Sequence, residues 1–107
     1  MLQLYDKHII TDIETNGLLD TVTKFWCAWI YDSASQEYKG YKDLDEYIDA
    51  LNVYGTSGYN LVFHNGIKYD VPCLKRLSGK DFVFDPRDCV IDPLVFARLV
   101  WSNIKDL

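Results

Sequence analysis

The chain has 107 residues, 49% apolar, 15% aromatic and 25% charged, with 11 basic against 16 acidic side chains and a formal net charge of −5. That length fits a single domain over residues 1–107, one that buries roughly two-thirds of its unfolded surface, and the apolar and aromatic content excludes a disordered chain. No run approaches the ~20 apolar residues of a membrane-spanning helix, so no membrane association is expected. The opening Met1-Leu2-Gln3-Leu4-Tyr5-Asp6-Lys7-His8 lacks the basic start and apolar stretch of a secretory signal. Cys27, Cys73 and Cys89 cannot all pair and match no metal-ligand spacing, so they read as reduced core thiols of a cytoplasmic protein. The acidity opposes a passive nucleic-acid-binding module, because phosphates attract Lys and Arg. Carboxylates that converge on divalent cations reverse that local sign, so a metal-dependent nuclease tolerates it.

In chain order, residues 8–14 read as a strand ending at the turn-forming pair Asn16-Gly17. Residues 21–31 form a second strand with Phe25, Cys27, Trp29 and Tyr31 on one face and Trp26, Ala28 and Ile30 on the other. Apolar residues on both faces predict a central strand covered on two sides. The polar turn Asp32-Ser33-Ala34-Ser35 leads to a third strand over 36–41, completing a meander. Asp43 is a helix cap with Glu46 three residues on, and Leu44, Tyr47, Ile48 and Leu51 form an amphipathic stripe. A loop over 54–59 precedes a short strand over 60–63, then a helix over 72–77 opening at Pro72 and stopping at Ser78-Gly79. Residues 88–91 are the last strand. Asp92-Pro93 begins a final helix through Trp101 whose Leu94, Val95, Phe96, Ala97, Leu99, Val100 and Trp101 leave almost no polar face, the pattern of a helix buried by something else.

Asp12 and Glu14 lie two apart on the first predicted strand, so both carboxylates share one face about 6–7 Å apart. Like charges so placed are costly without a neutralising cation, and hard oxygen ligands suit Mg²⁺ or Mn²⁺; a solvated strand face is the plainer reading of the same pair. In the second constellation, Phe63-His64-Asn65-Gly66-Ile67-Lys68-Tyr69-Asp70, a strand delivers Asn65-Gly66 to a turn and Asp70 to the start of a helix. There Asp70 also serves as an ordinary helix cap. The two motifs together, in this order, carry more than either alone.

Asp12-Ile13-Glu14-Thr15-Asn16-Gly17 followed by Asn65-Gly66-x-x-Tyr69-Asp70 resembles the first two motifs of the DEDD superfamily of 3′–5′ exonucleases. More narrowly, the chain is similar to the N-terminal proofreading domain of the family-A replicative DNA polymerases of short-tailed bacteriophages. Val22-Thr23-Lys24-Phe25, the run from Val62 to Pro72 and the tail from Arg98 to Asp106 fit that resemblance, which covers nearly the whole chain. It implies a ribonuclease-H-like α/β fold, with a mixed five-stranded sheet and flanking helices, in the cytoplasm of an infected bacterial host. It also implies that Asp12, Glu14 and Asp70 ligate two Mg²⁺ or Mn²⁺ ions across the scissile phosphate at the 3′ end of single-stranded DNA. Asn65 and Gly66 would place the terminal nucleotide, Lys68 would lie beside its phosphate, and Leu18 or Phe63 would stack on its base.

The superfamily carries a fourth acidic ligand in a downstream Tyr-x-x-x-Asp or His-x-x-x-x-Asp motif. The spacing occurs here only from Tyr41 to Asp45, ahead of the second motif, where Asp43 and Asp45 read as helix-start residues. Asp92 reads as a helix start too, with a supporting role at the metal site as the lesser alternative. The chain thus resembles a domain cut short at its C-terminal end, before the third motif. The expected function is a proofreading-type 3′–5′ exonuclease domain, impaired or dependent on a partner. That partner would be the remaining polymerase polypeptide, or a second copy pairing through the 93–101 helix. The alternative is a catalytically inactive exonuclease-like module that binds DNA or a protein.

Overall fold

The computed structural model describes residues 2–16, 24–63, 71–78 and 80–92. Its elements in chain order are β1 (Lys7–Thr15), β2 (Phe25–Asp32), β3 (Glu37–Tyr41), α1 (Leu44–Gly55), β4 (Tyr59–Phe63), α2 (Val71–Leu77), α3 (Pro86–Cys89) and β5 (Val90–Ile91). They build an α/β structure on one five-stranded mixed sheet of order β3-β2-β1-β4-β5. The first three strands form the expected antiparallel meander, while β4 runs parallel to β1 and β5 parallel to β4. β2 is an interior strand as expected, between β1 and β3, but its Trp29 face is left partly exposed instead of covered, and β1 is the middle strand. Both crossovers, β3 to β4 and β4 to β5, step across the sheet in one direction, and right-handed connection places their helices on the same face. On that face Ile9, Ile13, Ala28, Ile30, Leu61 and Phe63 pack with Tyr47, Ile48 and Leu51 of α1 and Val71, Cys73 and Leu74 of α2.

Three local devices shape this core. Glu14 pairs with Cys27 but Thr15 pairs with Phe25, so Trp26 is the extra residue of a bulge in β2. The bulge turns Phe25 onto the helix-covered face, where it stacks on Tyr47 with centroids 6.0 Å apart at 21°. Strict alternation had placed Phe25 with Trp29. Asp43 caps α1 as expected, accepting from the N–H groups of Asp45 (2.8 Å) and Glu46 (3.2 Å). At the other end α1 runs on to Gly55, past the expected loop start at Tyr54, and the Thr56 N–H closes it on the Asn52 and Tyr54 carbonyls. Finally Asp85 with Pro86 starts α3 just ahead of the expected strand over 88–91, and α3 takes its first two residues, leaving only Val90 and Ile91 for β5. The buried Asn60 amide donates to the Gln3 (2.7 Å) and Cys89 (3.2 Å) carbonyls, tying the N-terminal arm beside β5.

The β2–β3 turn fixes register. The Asp32 carboxylate accepts from the Ala34 N–H (2.8 Å) and the Ser35 N–H (3.4 Å), and Gln36 takes a positive φ of 59°. The hydroxyls of Tyr54 (3.1 Å) and Tyr59 (3.5 Å) donate to the same carboxylate, and the Lys7 ammonium lies 4.6 Å from the Tyr59 ring centre. Burial pushes the Asp32 carboxyl up, and these donors outweigh it, so Asp32 titrates below its ordinary value. Burial first, then the hydrogen bond to Asp32 and its charge, push the Tyr54 phenol up to about 12.

The free thiols Cys73 and Cys89 are buried and Cys27 is half-buried, as small core residues would be. Among the described residues no helix is long and apolar enough to cross a membrane. The helix expected over 93–101 lies outside the described residues.

Two outcomes follow from this packing. A methyl group at Gly55 would overlap the Phe84 ring. Gly55→Ala is therefore expected to destabilise by up to about 2 kcal/mol, an overpacking cost of about 1–3 kcal/mol offset by a helix-propensity gain of at most about 1 kcal/mol; urea unfolding checks this, and a more stable variant would contradict it. The Tyr54–Asp32 bond contributes fully below the ordinary phenol range and is lost as the pH rises through about 12. Difference ultraviolet titration against Tyr54→Phe should show that phenol ionising well above the ordinary range, near 12. Asp32→Asn should bring it only part of the way back, since burial is the larger cause.

Candidate functional site

Along β1 the side chains alternate, and the face away from the helices carries Ile10, Asp12 and Glu14. Asp12 is half-buried and Glu14 exposed. The Ile13 N–H donates to Asp12 Oδ1 at 3.0 Å, which orients that carboxylate. Across the ladder, Asp12 stands opposite Trp29 and Glu14 opposite Cys27. The same register lines Ile91, Val62, Ile10, Tyr31 and Tyr38 across all five strands, so a row of apolar and aromatic side chains borders the carboxylates.

The carboxylates sit toward the carboxyl end of β1, and because β1, β4 and β5 are parallel their carboxyl ends share one edge of the sheet. Ligands of open α/β sheets bind at that edge. Phe63, the last residue of β4, is level with Thr11, so the chain leaves β4 beside Asp12 and re-enters description at Val71, the first residue of α2. Asn65, Gly66, Lys68 and Asp70 lie in that interval, and Leu18 follows β1; all five are outside the described residues. At the end of the β1–β2 pair the Asn16 N–H donates to the Lys24 carbonyl (3.2 Å) and the Lys24 N–H to Asn16 Oδ1 (3.0 Å), which places an exposed lysine at the same end of the sheet as Glu14.

Phe63 does not support the stacking role expected of it. It is 1% exposed, on the helix-covered face, with its ring in the core. Tyr41 is also buried in the core and Asp43 is the α1 cap, so the Tyr41-to-Asp45 spacing belongs to the start of α1, as its helix-start reading required. Asp92, directly after β5, is only 3% exposed. Trp29 carried no signal in the one-dimensional pattern, because its place opposite Asp12 depends on the turn that sets the β1–β2 register.

Among the described residues no three His, Cys, Asp or Glu side chains come together to hold a cation. The described part of the site is the pair Asp12 and Glu14. Its donor set, two carboxylates on one strand face, fits hard divalent cations such as Mg²⁺ or Mn²⁺ and supplies part of a coordination shell.

No family model matches the chain. In alignments covering 92% of its length, it is 47% identical to the DNA-directed DNA polymerase of Escherichia phage T7 and 46% identical to that of Enterobacteria phage T3. It spans 15% of the length of each. The sequence is thus related to phage DNA polymerases.

Proposed function

We propose that this relative of phage DNA polymerases is a 3′–5′ exonuclease domain of ribonuclease-H-like fold that hydrolyses terminal phosphodiesters of single-stranded DNA. The observation that carries the reading is the placement of Asp12 and Glu14 together on the middle strand, at the sheet edge where the chain leaves β4 toward Asp70. A mixed sheet of order β3-β2-β1-β4-β5 with both crossover helices on one face is compatible with that fold.

Asp12, Glu14 and Asp70 are the residues that would hold two Mg²⁺ or Mn²⁺ ions. Bound there, the ions would stabilise the negative charge that builds on the phosphate oxygens during displacement. The chain's own part is orientation. The Ile13 N–H holds Asp12 Oδ1, the strand fixes the Asp12–Glu14 spacing, and Asn65, Gly66, Lys68 and Leu18 are the residues proposed to seat the terminal nucleotide. Within these 107 residues the only Tyr-x-x-x-Asp spacing runs from Tyr41 at the end of β3 to Asp45 in the first turn of α1, so the family's third motif is not among them. Activity is accordingly proposed to be slow in isolation, or to depend on the rest of a polymerase or a second copy engaging residues 93–101. The second reading is a silent exonuclease-like module that binds DNA or a protein; the described residues favour it to the extent that only Asp12 and Glu14 of the acidic set come together among them.

Digestion of a 5′-labelled single-stranded oligonucleotide separates the two. With Mn²⁺ or Mg²⁺ the protein should shorten the strand stepwise from its 3′ end. Asp12→Ala and Glu14→Ala should each slow this by about 100-fold or more, the scale of losing a preorganised charge-stabilising group. A folded protein that leaves the strand intact, or cleavage indifferent to both substitutions, overturns the exonuclease reading.

A further inference from the structure

Trp29 is a large aromatic side chain left 39% exposed on the carboxylate-bearing face. One ladder neighbour is Asp12, and the other, on β3, is Gly40. An aromatic ring beside a strand glycine commonly lies over the bare backbone and shields it. Here it does not, because a Cβ built on Gly40 meets nothing within 4 Å. The space over Gly40 is open, and Tyr38, 75% exposed, borders it with its ring centre 6.3 Å from that of Trp29 and tilted by 51°. Trp29 thus presents indole surface to an open notch one residue from a carboxylate proposed to face a phosphate. Lys24 supplies a cation at the same end of the sheet.

We propose that Trp29 is the stacking surface for the 3′-terminal base of the single strand whose phosphate lies at Asp12 and Glu14. The inference rests on the exonuclease reading and adds a positioning residue to it. Nucleobases all offer a π-face, so an indole there would hold any terminal base, while the open notch at Gly40 leaves room for purine and pyrimidine alike. Unpaired ends alone satisfy this geometry, since a paired terminal base is already stacked within its duplex.

Binding, without turnover, tests it. In the full chain, Trp26→Phe and Trp101→Phe leave Trp29 the sole indole, and Ca²⁺ replaces the catalytic ions. A short oligothymidylate should quench Trp29 fluorescence, and the same oligomer ending in an abasic 3′ residue should quench little and bind about tenfold more weakly, within the range for one base–aromatic stack. Trp29→Leu should weaken binding of the intact oligomer about tenfold and erase the penalty for the abasic end, while Trp29→Phe restores most of both. Equal affinity for the two oligomers, or unchanged Trp29 emission at saturation by fluorescence anisotropy, overturns the inference. If Asp12→Ala abolishes Ca²⁺-dependent binding while Trp29→Leu leaves it intact, the exonuclease reading stands and the stacking role alone fails. Quenching that survives Asp12→Ala places the base away from the carboxylates and overturns the inference as well.

Discussion

The structure depends on the register of β1, the middle strand of the sheet, which pairs antiparallel with β2 on one side and parallel with β4 on the other. Thr11 is its pin. Its hydroxyl has one proton, which it donates to the Trp29 carbonyl on β2 at 2.7 Å, and it therefore accepts from the Tyr47 hydroxyl of α1, also at 2.7 Å. One side chain thus joins the middle strand, its antiparallel neighbour and the covering helix, all in the buried core. A slip of one residue would exchange the faces of the strand and drive Asp12 and Glu14 under α1. Burying unpaired carboxylates there would cost several kcal/mol each, more than the pairing of a strand gains, so only one register is tolerated.

That same constraint places two like charges side by side on the opposite face. A sequence selected for stability alone would not place them there. Local conflict of this kind, with the rest of the strand consistent, is where function is expected to override packing. The carboxyl-edge geometry gives the conflict a use, since β1, β4 and β5 all end there and the chain between β4 and α2 departs beside Asp12. The similarity to phage DNA polymerases runs along most of the chain and is compatible with the proposed chemistry at this edge.

Much of this was legible in the sequence because the signals were local. Asp43 with the stripe Leu44, Tyr47, Ile48 and Leu51 specified α1, and alternation around Asp12 and Glu14 specified a strand with both carboxylates on one face. What stayed hidden depended on pairing. The bulge at Trp26 reverses Phe25, the burial of Phe63 follows from which face the helices cover, and Trp29 meets Asp12 only through the register set at the Asp32 turn. The cap and proline at Asp85-Pro86 start a helical turn that runs through Cys89, into the first half of the strand expected over 88–91. The order of the strands, which makes β1 the middle one, is a property of crossovers that no single segment encodes.

The central claim, that the Asp12–Glu14 pair is a cation site held at a cost to the metal-free fold, is tested most directly by thermal unfolding of the wild type and Asp12→Asn with and without Mn²⁺. Removing one of two like charges should leave the metal-free variant as stable as the wild type or more so, and should abolish most of the rise in Tm that Mn²⁺ gives the wild type. A variant that Mn²⁺ stabilises as much as the wild type would contradict the account, because the ion would then be binding elsewhere.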